Sequence, residues 1–419
     1  AEILMFKGEA CADIVFMQTS AKALDVARGI ETAIEQLKQA KKPGIYVGWG
    51  ALGGETELKS IAEILVAPVA TTLQGLSAFP ADHPMHVGMG FGRSSVPAAE
   101  KAFEGCDCLL AVGVRFSELA TASYGLPVPE NLIHIDVNSD VFNKNYRASV
   151  CIEGDAQDIL KMLLQGLKQV PHQPERSYEN LSLLIQSEKK KYLDEWFAHR
   201  VPDRVNPALF FKSLREILPS DGFLVVDDGN HTFLAEELFP VYSSGRFLSP
   251  TDFNAMGYAV PAALSVKMSH PQTPVAAVVG DGAFMMTGAE LLSASAQGVG
   301  AVVFVFCDGE LGQISQFQKI PFNRKTCTVL PQMNLRGWAD ATGCAYFEML
   351  CNDQIHSVML KAFAVAKEGQ SVLVEVKIDY SKKTRFTQGV VKTNLSRFPL
   401  GEKMRFISRA LLRKVVDSF

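Results

Sequence analysis

Two acidic residues stand where a strand–helix–strand unit would bring them together. Residues 275–318, VAAVVGDGAFMMTGAELLSASAQGVGAVVFVFCDGELGQISQFQ, run from an apolar segment into Gly280-Asp281-Gly282. A helix-like segment over about 287–296 follows, and a second apolar run ends at Cys307-Asp308-Gly309-Glu310. Such crossovers are right-handed and leave both strands parallel. Their carboxyl ends then share one edge of the sheet, where open α/β sheets bind ligands. Asp281 and Asp308 would face one crevice. Two carboxylates and a turn carbonyl form a hard oxygen set suited to Mg²⁺, an ion that keeps positions for phosphate oxygens. The glycines let backbone approach a ligand closely, and a helix start aims free N–H groups at an anion. Taken singly, either acid is equally a turn or helix-capping aspartate.

The elements that must position this pair read as two α/β units. Residues 21–40 carry Leu24, Ala27, Ile30, Ile34 and Leu37 at helical spacing, and Lys41-Lys42-Pro43-Gly44 ends the run. Strands follow at GIYVGWG (44–50), PVAT (68–71), CLLAVGV (108–114) and NLIHIDV (131–137). From 170 to 204, three prolines surround the charged stretch SEKKKYLDEWF, which predicts a linker holding one solvated helix. Strands resume at FLVV (223–226), VAAVV (275–279), AVVFVF (301–306) and SVLVEV (371–376). The pattern predicts an α/β protein: two doubly wound parallel-sheet domains joined by a helical linker. The division is a remnant over 1–20, a middle domain over 21–169, the linker over 170–204, a second domain over 205–380 and a tail over 381–419.

Composition narrows the classes further. At 419 residues the chain is too long for one core, and 47% hydrophobic with 21% charged residues excludes a disordered or coiled-coil protein. A net charge of −4 argues against nucleic acid as partner. No apolar run is long enough to span a bilayer. The eight cysteines lack metal-knuckle spacing and suggest a reduced, cytoplasmic protein. His83 and His86 lie among prolines without partner ligands, which favours a surface loop over a zinc site. The tail is basic, with ten Lys or Arg from Lys382 to Lys414 against Glu402 and Asp417.

The GDG turn, the crossover and the second acidic turn together resemble the cofactor motif of thiamine diphosphate enzymes. By that resemblance Asp281, Asp308 and the carbonyl of Glu310 are Mg²⁺ ligands, and Gly280, Gly282 and Ala283 border thiamine diphosphate. The family carries an Asn-Asn pair where this chain has Cys307-Asp308. The extra carboxylate should tighten metal binding and repel the diphosphate unless a cation is near. VVDDGNHTF (225–233) matches the family's diphosphate-touching Gly-Gln-His strand end, which places Gly229, Asn230, His231 and Thr232 there. Read alone, His231 is as readily a capping histidine. SPTDFNAMGYAVPAAL (249–264) is similar to the family segment whose methionine wedges beneath the cofactor. The resemblance gives Met256 that role and makes the carbonyl of Asn254 the acceptor for the cofactor's amino group. As pattern alone, Met256 is core.

The first unit resembles the middle domain of acetolactate synthase (acetohydroxyacid synthase) large subunits, through KKPGIYVGWGALGGETEL, TTLQGLSAFPADHPMHVGMG, CDCLLAVGVRFSELAT and NLIHIDVNSDVFNKNY. That domain binds FAD, and the matching positions are Gly48, Gly50, Thr71, Thr72, Leu73, Gly113, Arg115 and Asp136. Trp49 interrupts the family's glycine triplet with an indole that could fill the flavin's space. Ser117-Glu118-Leu119 also loses a cation. FAD and a flavin-free structural domain both stand as readings. Phe317 takes the place of a tryptophan linked to acceptor choice, which argues against 2-oxobutyrate as acceptor.

The activity implied is decarboxylation of pyruvate and carboligation to a second 2-oxoacid in branched-chain amino acid biosynthesis. A related decarboxylase or lyase, and a non-catalytic cofactor-binding scaffold, are the alternatives. In the family a glutamate from a preceding domain, on a second subunit, activates the cofactor. Neither Glu2 nor Glu9 has a matching context, so a homodimer or tetramer and an inactive isolated fragment are expected. The tail reads as a packed helix carrying Phe406, Ile407, Ala410, Leu411 and Phe419, as a lid over the cofactor, or as a peripheral membrane contact.

Overall fold

A computed structural model describes residues 23–169, 175–251, 253–322, 324–397, 400, 401, 404 and 408. The first sheet is built from β1 (Pro43–Val47), β2 (Val69–Thr71), β3 (His86–Met89), β4 (Cys108–Val112), β5 (Asn131–Asp136) and β6 (Val150–Glu153). Its order is β3-β2-β1-β4-β5-β6, and every pairing is parallel. The order reverses between β1 and β4, which opens a crevice at the carboxyl ends of those strands. Helices α1 (Ala23–Gln39), α2 (Glu55–Leu65), α3 (Pro97–Ala102) and α4 (Ala156–Lys168) flank it. The start of α4 is fixed by Asp155, whose carboxylate accepts from the N–H groups of Gln157 and Asp158.

Helix α5 (Tyr178–Ala198) leads to the second unit. The sequence predicts a solvated helix here, but its inner face buries Leu181, Ile185, Glu188, Tyr192 and Trp196. The charged run hides an apolar stripe at helical spacing, and Trp196 is wholly buried beneath Lys382, whose ammonium lies 4.7 Å from the ring centroid.

Helix α6 (Pro207–Ile217) starts from Asn206, whose side-chain oxygen accepts from the Leu209 N–H. The second sheet comprises β7 (Phe223–Val226), β8 (Phe247–Leu248), β9 (Val275–Gly280), β10 (Val302–Phe306), β11 (Ala345–Met349) and β12 (Val372–Val376). Its order is β11-β12-β10-β9-β7-β8, again all parallel. Around it lie α7 (Asn230–Leu238), α8 (Ala259–Ser269), α9 (Asp281–Thr287), α10 (Leu291–Gln297), α11 (Gly312–Phe322), α12 (Leu335–Thr342) and α13 (Ile355–Lys367). The crossover from β9 to β10 begins at Asp281 itself, earlier than the spacing predicts.

Helix α14 (Arg385–Arg397) returns to the first domain. A Cβ on Gly389 would strike Ser94, and the Asn394 amide donates to the Ser123 hydroxyl at 3.3 Å. The tail helix expected around Phe406, Ile407, Ala410, Leu411 and Phe419 lies outside the described residues. No helix among the described residues is long and apolar enough to cross a membrane. The expected surface loop at His83 and His86 is corrected. His86 is the buried first residue of β3, and the largely buried His83 ring packs edge-on to Phe79. The described cysteines are unpaired thiols.

Candidate functional site

Strands β9 and β10 lie side by side with Phe306 opposite Gly280. The register carries Asp281 and Asp308 past the same sheet edge, and both line one cavity of about 180 Å³. The carboxylate of Asp281 knits the two turns together. One oxygen accepts from the Gly309 N–H at 2.8 Å and the Asp308 N–H at 3.2 Å; the other accepts from the Gly282 N–H at 2.8 Å. Asp308 accepts from the Glu310 N–H at 3.3 Å. Burial raises both acids, and the Asp281 charge helps push Asp308 up to about 6. The Asp281 rise is opposed by the N–H groups it accepts from, led by that of Gly309.

Gly229, Asn230 and His231 line the same cavity at the end of β7. Gly229 has a φ of 153°, which a side chain rarely adopts, and a Cβ there would lie 2.6 Å from the His231 ring. His231 is buried, with Nε2 lacking a hydrogen-bond partner, and burial lowers its imidazole to about 3. Asn230 Nδ2 and Asp308 Oδ2 converge over Gly312, 2.9 Å and 2.7 Å from where a Cβ would stand. Thr232 is apart from the lining. Its buried hydroxyl donates to the Asp227 carbonyl and accepts from the Gly229 N–H at 3.1 Å, which shapes the turn.

The floor is formed by Gly280, Gly282, Ala283 and Met256. A Cβ on Gly282 would come 2.5 Å from Leu311 and 3.5 Å from Met256 Cε, so only glycine leaves this space open. Asn254 is exposed, at a φ of 53°, and is not part of the lining. The Glu310 side chain is drawn off by Lys325 and by the Ser315 hydroxyl at 2.8 Å. Phe317 lies on α11, with its side chain outside the described residues.

Three residues here escape sequence reading. Asp227 is fully buried and accepts from the N–H groups of Gly257 at 2.8 Å and Ala259 at 2.6 Å, which fixes the loop bearing Met256. Asp228 adds a carboxyl to the wall, raised to about 6 by burial and then by Asp227. Tyr380 closes the far side, its phenol raised by burial and then by Asp308 and Asp281. Two successive acids after FLVV are the signal that could have drawn notice to the first two.

The wall fits a diphosphate held through a divalent ion. Asp228, Asp281 and Asp308 concentrate negative charge in a partly dry cleft, which a cation would relieve. Among the described residues no group of three His, Cys, Asp or Glu side chains could hold a metal. A divalent ion here would rest on two carboxylates and a turn carbonyl, with phosphate oxygens completing it. The glycine floor allows close approach, and the buried His231 Nε2 has no partner within the protein.

A separate cavity of about 360 Å³ opens at the switch point of the first sheet. Gly50, Thr72, Leu73, Gly113, Arg115 and Asp136 line it. Gly48 lies beneath, against the Gly113 carbonyl, and Thr71 is buried in β2. Trp49 does not fill this space: it stands on the wall, 47% exposed.

Comparison with known proteins agrees with this layout. The thiamine pyrophosphate enzyme central domain matches residues 30–163, and the C-terminal TPP binding domain of the same enzymes matches 227–376. The acetolactate synthase isozyme 3 large subunit of Escherichia coli (strain K12) is 28% identical over 359 residues, 84% of this chain and 62% of the relative. The probable acetolactate synthase large subunit of Methanocaldococcus jannaschii is 31% identical over 315 residues, 72% of this chain and 51% of the relative. The acetolactate synthase large subunit of Corynebacterium glutamicum is 31% identical over 297 residues, 70% of this chain and 47% of the relative. The chain thus spans roughly half to three-fifths of the length of these curated relatives. With both domains matched in order, each on its own six-stranded parallel sheet, the chain belongs to the thiamine pyrophosphate enzymes.

Proposed function

We propose that this chain supplies the cofactor-holding half of an acetolactate synthase-like enzyme that decarboxylates pyruvate and joins the product to a second 2-oxoacid. The observation that carries the reading is the meeting of Asp281 and Asp308 on one cavity wall above the Gly280–Gly282 floor. In the proposal, Asp281, Asp308 and the Glu310 carbonyl hold Mg²⁺. Gly229, Asn230 and His231 receive the diphosphate, Thr232 shapes the turn that presents them, and Ala283 completes the floor. Met256 supports the cofactor rings, the Asn254 carbonyl receives the amino group and Phe317 borders the acceptor. Thiamine diphosphate, when bound, supplies the carbanion chemistry that decarboxylation and carboligation need.

This chain's residues bind, orient and exclude water. Among the described residues the glutamate on the cavity wall is Glu310, already engaged by Lys325. The activating carboxylate is therefore proposed to come from another domain on a second subunit, in a homodimer or tetramer. The 419-residue chain alone is expected to bind Mg²⁺ and thiamine diphosphate and to form no acetolactate. Calorimetric titration of the cofactor with and without Mg²⁺, beside an acetolactate assay, tests both halves. Absence of Mg²⁺-dependent binding overturns the site, and turnover by the chain alone overturns the division of labour.

For the first domain, six of the eight matched residues on one cavity wall favour FAD over a flavin-free support. Flavin released on heating the purified or FAD-reconstituted chain checks it.

A further inference from the structure

The wall of the strand-end cavity carries more negative charge than a divalent ion can cancel. Asp228, Asp281, Asp308 and Glu310 line it, and only Glu310 is engaged by a lysine there, Lys325. An ion on Asp281 and Asp308 would balance those two carboxylates. A diphosphate would then lie beside Asp228 with its own charge uncompensated. Among the described residues lining the cavity none is Lys or Arg, and burial keeps His231 neutral. Like charges repel strongly in such a partly dry cleft.

A cation stands one step behind that wall. Strands β10 and β12 pair with Phe306 opposite Val376, so the segment leaving β12 passes the same sheet edge as Asp308. Tyr380 on that segment lines the cavity, its ring edge-on to Phe306 with 6.4 Å between centroids. Three residues on, the Lys383 ammonium bends back and donates to the Tyr380 carbonyl at 3.0 Å. Burial opposes this ammonium, and the charges of Asp308 and then Asp379 favour it. Asp379 has other partners: it accepts from the Ser381 N–H at 2.9 Å and lies 2.9 Å from His199 Nε2. The adjacent Lys382 turns instead to the Trp196 ring. The backbone around Lys383 is pinned. The Gln388 amide donates to its carbonyl at 3.0 Å, and Glu237 accepts from the N–H groups of Arg385 at 3.1 Å and Phe386 at 2.8 Å. A charge held in this way is in place before a ligand arrives.

We propose that Lys383 is the cation that admits the diphosphate, a positioning residue whose charge offsets the carboxylate of Asp308 beside the ligand's anionic end. The inference rests on the cofactor reading and adds to it a residue beyond the matched stretch 227–376. The sign of the effect is diagnostic. Lys383 should favour Mg²⁺ together with a diphosphate and oppose Mg²⁺ alone, because the bare ion brings only positive charge. A lysine that merely braced the fold would support both alike.

Calorimetric titrations of the 419-residue chain at about pH 8, above the range in which Asp308 titrates, compare thiamine diphosphate with Mg²⁺ against Mg²⁺ alone. Lys383→Met should weaken binding of the first about tenfold and leave the second as tight or tighter. Lys383→Gln, which keeps a donor for the Tyr380 carbonyl without the charge, should behave as Lys383→Met. Lys383→Arg should stay within about threefold of the parent for both ligands. Added salt should narrow the gap between parent and Lys383→Met, and the Tm of each variant reports its fold. The role of Lys383 is overturned if Lys383→Met and Lys383→Gln bind the cofactor as tightly as the parent, if they lose Mg²⁺ alone to the same extent, or if Lys383→Arg falls as far as they do. A parent chain without Mg²⁺-dependent binding overturns the cofactor reading itself, and this inference with it.

Discussion

The carboxylate of Asp281 receives the backbone N–H of Asp308 at 3.2 Å and that of Gly309 at 2.8 Å, so one candidate ligand holds the turn that carries the other. The two acids are thereby unequal. Asp281 has a structural duty whether or not an ion is bound, while among the described residues Asp308 accepts from the near Glu310 N–H alone.

Asp281→Ala is therefore expected to cost more than Asp308→Asn. The first removes a ligand and frees the three N–H groups of Gly282, Asp308 and Gly309, at roughly 1–3 kcal/mol for each left unsatisfied. We expect Mg²⁺-dependent cofactor binding to fall more than a hundredfold in Asp281→Ala, with a lowered Tm. Asp308→Asn should keep its fold and stay within about tenfold of the parent affinity, since it retains an oxygen ligand and loses one charge beside the diphosphate. Calorimetric titration of the three proteins decides the order.

Asp227 makes a sharper case, since it supports the site without lining the cavity. Asp227→Ala orphans the N–H groups of Gly257 and Ala259 and releases the Met256 loop. A loss of about 2–5 kcal/mol is expected in urea unfolding, together with weaker cofactor binding. Unchanged stability would mean that water replaces the carboxylate.

Glycine substitutions should separate stability from binding. A Cβ on Gly48 would fall on the Gly113 carbonyl, backbone that cannot step aside, whereas a Cβ on Gly282 meets the end of the flexible Leu311 side chain. Gly48→Ala should lower Tm by several degrees, through strain of about 1–3 kcal/mol or more. Gly282→Ala should leave Tm nearly unchanged and weaken cofactor binding at least tenfold.

Burial raises the Glu237 carboxyl to about 6, against N–H and phenol donors that favour its ionised form. The folded chain then keeps this proton to a higher pH than the unfolded chain does. Its contribution to stability is fully present below the unfolded pKa of about 4.3 and is lost as pH rises to about 6, a change on the order of 1–2 kcal/mol. Glu237→Gln should remove that part of the slope between pH 4 and 6.5. Identical pH–stability curves for the two proteins would count against it.

The parts of the fold legible in the sequence were the strands that carry their own apolar run. FLVV coincides with β7, and AVVFVF and SVLVEV each overrun their strand by one residue. Strands β3, β6, β8 and β11 gave no such signal. His86-Val-Gly-Met and Ala-Tyr-Phe-Glu-Met mix polar with apolar residues, and β8 is two residues long. Their placement comes from neighbours already in the sheet, which a local window does not contain. At the candidate site, Asp281 and Asp308 reach one cavity wall, as the crossover spacing anticipates, and His231 and Met256, which only the family resemblance singled out, line it too. Asp227 was missed because its partners, Gly257 and Ala259, are remote in sequence.

The segment that leaves β12 supplies Arg385 and Phe386 to Glu237 and then lays Gly389 against Ser94. The polypeptide thus closes a circuit, from first sheet through α5 to second sheet and back. A protein strung as two beads would melt in two stages and pivot at its connector. One clasped in this way resists shear between its halves and passes a disturbance in either across the seam.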